Sequence, residues 1–231
     1  MLRALLTTSL GLVLTGCSVL PSVGGEQRER TSQSSAPAPV TRVAAASVPR
    51  AGTEAQCLSE LSEAAHFEAL PDQYFDQGCS TLNAVQMHAL RGDRGSLGVG
   101  NLGPVTCPVS TAFAAWARYG VDRAARQIFG SPLATIETMG SYSCRNVAGS
   151  GRRSAHASAS AIDIGGFVLE NGRRIDILSG WNGSAQEREF LRTVKRSACR
   201  RFDTVLGPDY NAAHADHLHV EGVIDGNSFC R

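Results

Sequence analysis

Hydrophobic residues recur every three or four positions in some stretches of the chain and every second position in others, which predicts helices and short strands. The clearest helix follows Ser184. Phe190, Val194, Ala198 and Phe202 repeat every fourth residue as an apolar stripe, with Arg188, Arg192, Lys195 and Arg196 outside it. Ser184 and Glu187 stand three apart at its start and match a capping box, in which each side chain satisfies a backbone N–H left over at the helix end. Cys107 to Gly130 reads as a second helix, rich in alanine, with Phe113, Trp116 and Ala117 on one face and Gly130 as its stop. Cys57 to Phe67 also has helical spacing. Gln77 to Val105 is glycine-rich and reads as loops around short strands. Ala161 to Phe167 and His217 to Val220 read as strands, with Gly172 marking a hairpin turn. Helices and strands outside a βαβ order predict an α+β fold, a small antiparallel sheet flanked by helices.

Composition narrows the function classes. The 231 residues hold 22 basic and 21 acidic side chains, a net charge of +1, and the bases are scattered, which excludes nucleic acid as a partner. No apolar run approaches the roughly 20 residues of a spanning helix. The first 17 residues carry Arg3, an apolar core from Ala4 to Leu14, and then Leu14-Thr15-Gly16-Cys17. That ending resembles a bacterial lipobox, which implies cleavage before Cys17 and lipidation of its thiol. Ser18 stands where that pattern has aspartate for inner-membrane retention, so the resemblance implies an outer-membrane lipoprotein facing the periplasm of a Gram-negative cell. Residues 18–54 are rich in Ser, Ala, Pro and Gly and read as a flexible tether, which leaves 55–231 as one folded domain.

Of seven cysteines, the leader accounts for one. Cys57, Cys79, Cys107, Cys144, Cys199 and Cys230 remain, an even set suited to three disulfides in an oxidising compartment. Spacing does not choose among the pairings. The expectation is that neighbours in order join: 57 with 79, 107 with 144, 199 with 230. No two have Cys-x-x-Cys spacing, which argues against a zinc–thiolate site.

Four of the six histidines fall in two short runs that also hold acids. In the first, His156 precedes Asp163, whose neighbours Ile162 and Ile164 would share the opposite strand face, so the carboxylate points away from the core. In the second, His214-Ala-Asp216-His217-Leu-His219-Val-Glu221, strand alternation puts His217, His219 and Glu221 on one face and Leu218 and Val220 on the other. Two imidazoles and a carboxylate are a standard ligand set for catalytic zinc, which takes three protein ligands and keeps one position open.

Ser154-x-His156, Asp163 and the closing His217-x-His219 resemble the zinc peptidases of the D-Ala-D-Ala carboxypeptidase, lysostaphin and murein endopeptidase superfamily. The longer run GSYSCR, SAHASASAIDIGGF, VLGPDYNAAHADHLHVEG is similar to the extensin-like C-terminal domain proteins of Gram-negative bacteria across roughly 55–231, a label shared with plant extensins that implies no plant cell-wall role. The superfamily resemblance implies His156, Asp163 and His219 as ligands of one zinc per chain. Two residues compete as base: Asp216, three before the last ligand, and His217, which strand period favours. His214 resembles a further active-site histidine. Arg145, in Gly140-Ser-Tyr142-Ser-Cys-Arg145, stands about where the superfamily has an arginine for a substrate carboxylate or oxyanion, although two residues intervene after the tyrosine. The implied activity is hydrolysis of peptidoglycan peptides. The alternatives are a zinc-containing module that only binds wall peptides or proteins, and a purely structural lipoprotein without metal.

Overall fold

The computed structural model describes residues 52–231, so the expected leader, the Cys17 lipidation site and nearly all of the tether lie outside the described residues. Helix α1 (Gly52–Ser62) begins within the last residues of that expected tether. Next come β1 (Ala65–Ala69), the small hairpin β2 (Gln73–Phe75) and β3 (Cys79–Thr81), and then β4 (Ala84–Arg91), β5 (Ser96–Gly100) and β6 (Val105–Thr106). The expected second helix is present but interrupted. Helices α2 (Cys107–Trp116) and α3 (Arg123–Phe129) are joined by a π-helical stretch over Ala117–Asp122, and Gly130 ends the unit with a left-handed φ of 69°. Inside that stretch Gly120 lies against Ser197 so closely that a β-carbon would collide with the serine hydroxyl.

The chain continues through β7 (Leu133–Gly140), β8 (Ala161–Leu169), β9 (Arg174–Asp176), the short α4 (Ile177–Gly180) and α5 (Ala185–Ala198). It closes with β10 (Thr204–Leu206), β11 (Leu218–Glu221) and β12 (Phe229–Cys230). The capping box forms as expected: the Ser184 hydroxyl accepts from the Glu187 N–H, and the Glu187 carboxylate accepts from the Ser184 N–H. Phe190, Val194, Ala198 and Phe202 are all fully buried.

The sheet departs from expectation. It is large and mixed, in the order β1-β4-β5-β7-β8-β11-β10-β12, with β6 and β9 beside β4 and β8. β5 pairs with β7 in parallel, and β10 with β12 likewise. The cause lies in the connections, because a parallel pair needs a long crossover and the α2–α3 unit supplies it between β5 and β7. Trp116 locks this unit to the sheet and to α5: its ring meets Phe167 edge-on with centroids 6.1 Å apart, and its Nε1–H donates to the Val194 carbonyl at 3.0 Å.

The disulfides correct two of the three expected pairings. Cys57 joins Cys107, Cys79 joins Cys144, and only Cys199–Cys230 links neighbours in order. Order along the chain was a poor guide because α1 packs on α2, bringing the Cys57 and Cys107 Cα atoms to 6.2 Å, while the β2–β3 hairpin lies against the segment after β7. Peptide mapping of the unreduced protein by mass spectrometry should recover the 57–107 and 79–144 links; a 57–79 peptide would overturn this arrangement.

Candidate functional site

The site begins with one strand pairing. β8 and β11 run antiparallel with His219 opposite Asp163, Val220 opposite Ile162 and Leu218 opposite Ile164. The four aliphatic residues are fully buried on the core face. Alternation therefore turns Asp163 and His219 together to the other face. His156 arrives from a single 3-10 turn (Ala155–Ser158) just before β8, where the Ser154 hydroxyl accepts from its N–H and Ala159 takes a left-handed φ of 54° to re-enter the strand.

Three side chains converge. His156 Nε2 lies 3.2 Å from His219 Nδ1 and 3.2 Å from Asp163 Oδ2, and His219 Nδ1 lies 2.9 Å from Asp163 Oδ1. The remaining ring nitrogens are engaged elsewhere. His156 donates its Nδ1–H to the Ser141 carbonyl at 2.6 Å, and His219 donates its Nε2–H to Glu221 at 3.1 Å. His217 approaches from the side, with Nε2 3.5 Å from Asp163 Oδ1 and its Nδ1–H on Asp216 at 2.9 Å. His214 donates its Nδ1–H to Asn211 at 2.7 Å, and its ring centroid stands 5.1 Å from that of His217.

This arrangement fits a tetrahedral metal. Zinc bonds of about 2.0–2.2 Å would set neighbouring ligand atoms about 3.3–3.6 Å apart, close to the spacing seen here. Each of these two imidazoles, His156 and His219, also has its outer N–H on an oxygen acceptor, the usual way of fixing a ring and its tautomer around a metal. The electrostatics point the same way. Burial alone would raise the pKa of Asp163, but hydrogen bonds from His156 and His219 and their charge hold it well below the ordinary carboxylate range. Burial likewise works to lower the pKa of His219, yet its bonds to Asp163 and Glu221 raise it to about 9. The cluster asks for positive charge at its centre.

A family model described as extensin-like protein C-terminus matches residues 55–231. The chain belongs to the extensin-like C-terminal family. Comparisons with curated proteins and with solved structures found no match for the chain.

In this extensin-like domain the residues singled out from the sequence come together. His214, His217, His219 and Arg145 all line one cleft of about 530 Å³, and His219 joins it to His156 and Asp163. Asp216 stands behind His217 and holds the ring nitrogen that faces away from the cluster. Burial pushes the His214 pKa down, and the neighbouring His217 and His219 add to this. Other wall residues escaped the sequence reading. Arg152 and the aromatic rings of Tyr210 and Phe229 line the same cleft, and nothing in the local pattern of an arginine-rich chain marked Arg152 out. Glu221 was legible only as a residue sharing a strand face with His219; its role as partner of that ring needed the structure.

If the cluster takes zinc, Glu221→Gln should weaken that binding by about 10- to 100-fold without unfolding the domain, because Glu221 anchors the far side of His219. Competition with a chromophoric chelator measures this, and unchanged affinity would remove Glu221 from the metal's support.

Proposed function

We propose that this extensin-like domain is a zinc-dependent peptidase that hydrolyses peptidoglycan stem or cross-link peptides, carried by a lipoprotein facing the periplasm from the outer membrane. The observation that carries the reading is the convergence of His156, Asp163 and His219 at metal-ligand spacing beside a second pair of imidazoles in an open cleft. The sequence resemblance to the D-Ala-D-Ala carboxypeptidase and murein endopeptidase superfamily supports the choice of chemistry. Three disulfides support an oxidising compartment.

Bound by His156, Asp163 and His219, zinc would supply Lewis acidity, lowering the pKa of water and polarising a peptide carbonyl. The protein does the rest. His217 accepts the proton from the attacking water at Nε2, since its Nδ1–H is committed to Asp216, and then passes that proton to the departing amine. Asp216, half-exposed and bonded to the imidazole, holds the ring in the tautomer that leaves Nε2 free. Arg145 stands on the cleft wall, where its guanidinium can stabilise negative charge growing on the carbonyl oxygen, while His214, held neutral with its Nδ1–H on Asn211, presents Nε2 to the cleft as an acceptor.

The purified domain should hold about one zinc per chain, lost in His156→Ala and His219→Ala, and should shorten muropeptides when zinc-loaded. His217→Gln should keep the metal while losing roughly 100- to 10,000-fold in turnover. A protein that takes up no zinc sinks the site assignment; a loaded protein that binds muropeptides and leaves them intact is a binding module.

A further inference from the structure

One wall of the cleft is a β-hairpin-like segment between Cys144 and Ser154. Asn146 and Arg153 form an antiparallel bridge, and the Val147 N–H donates to the Arg152 carbonyl at 2.9 Å. The Ser154 N–H donates to the Arg145 carbonyl at 3.2 Å, which continues the same ladder. Side chains alternate across such a ladder, so Asn146 and Arg153 share one face while Arg145, Val147, Arg152 and Ser154 share the other.

The contacts agree with that division. On the outer face Arg153 donates to Asn146 Oδ1 at 2.8 Å and to the Gln77 carbonyl at 2.7 Å. All four residues of the inner face line the cleft. Arg145 and Arg152 are exposed there, and neither guanidinium has a hydrogen-bond or ion-pair partner among the described residues. Their charges reach different parts of the site: Arg145 acts on His214 and Arg152 on Glu221. Among the described residues the only acid lining the cleft is Glu221, which is already engaged with His219.

We infer that the inner face of this hairpin is an anion-selecting wall, on which Arg152 provides a second guanidinium beside Arg145 and selects peptides bearing free carboxylates. Two unpaired guanidiniums on a fixed backbone offer planar, permanently charged forks with no protein acceptor to release first. A ligand spanning the wall would meet one cation near His214 and another near Glu221, so a peptide with carboxylates at two positions matches better than one with a single carboxylate. The inference rests on the peptidase reading for the identity of the peptide, and not for the existence of the wall.

The test compares a synthetic stem peptide carrying free carboxylates with the same peptide amidated. Binding is measured by calorimetry to the zinc-loaded protein carrying His217→Gln, which separates binding from hydrolysis. The acid form should bind about tenfold or more tightly than the amide, a preference that shrinks as salt rises. Adding Arg152→Gln should remove most of that preference while leaving the affinity for the amide unchanged, and Arg152→Lys should restore part of it. Arg94→Gln, an exposed arginine outside the cleft lining, should change nothing. Equal binding of acid and amide, or a loss in Arg152→Gln that affects both forms alike, overturns the wall. An intact acid preference in a wild type that never cleaves the peptide refutes the peptidase reading and leaves the wall standing.

Discussion

The register between β8 and β11 is the constraint on which the site depends. With His219 opposite Asp163, four aliphatic side chains enter the core and the acid and imidazole leave it together. A slip of one residue would exchange the faces, burying the carboxylate among aliphatic side chains and turning isoleucines towards the cleft. Burial of Ile162, Ile164, Leu218 and Val220 thus holds the polar pair in place, and packing energy and site geometry are enforced by the same pairing.

Around that pair the imidazoles follow one rule. Each has one ring nitrogen on an oxygen acceptor: Ser141 for His156, Asn211 for His214, Asp216 for His217 and Glu221 for His219. Three hold by Nδ1 and present Nε2, whereas His219 holds by Nε2 and presents Nδ1. The difference follows from position. His219 lies on a strand with Glu221 two residues on, so its outer nitrogen finds a carboxylate on the same face, while His156 comes from a turn beside the Ser141 carbonyl. Rings fixed in this way lose little freedom on meeting a ligand, which is what preorganisation requires.

Much of this was legible in the sequence. Strand alternation put Asp163 and the His217, His219, Glu221 series on the correct faces, because period two depends only on the local backbone. The capping box at Ser184 and the stripe through Phe190 and Phe202 were equally local. What depended on distant segments was not legible. Parallel pairing of β5 with β7 comes from the packing of a helical crossover, and Cys57 meets Cys107 because two helices stack. The break in the long helix at Ala117–Asp122 accompanies the close approach of Gly120 to Ser197, a contact between segments far apart in the chain. Arg152 stayed hidden for the same reason, since its direction is set by pairing across a hairpin and not by its neighbours in sequence.

The three disulfides divide their work unequally. Cys57–Cys107 ties two helices at the edge of the core, and Cys199–Cys230 ties the end of α5 to the last strand. Cys79–Cys144 instead fastens the β2–β3 hairpin to the residue directly before Arg145, and Arg153 reaches back to Gln77 in the same hairpin. A segment otherwise open to solvent is thereby pinned at the root of the cleft wall. Oxidation therefore fixes the arginine-bearing wall as well as adding stability, because the link at Cys144 sits one residue from Arg145 at the root of the cleft.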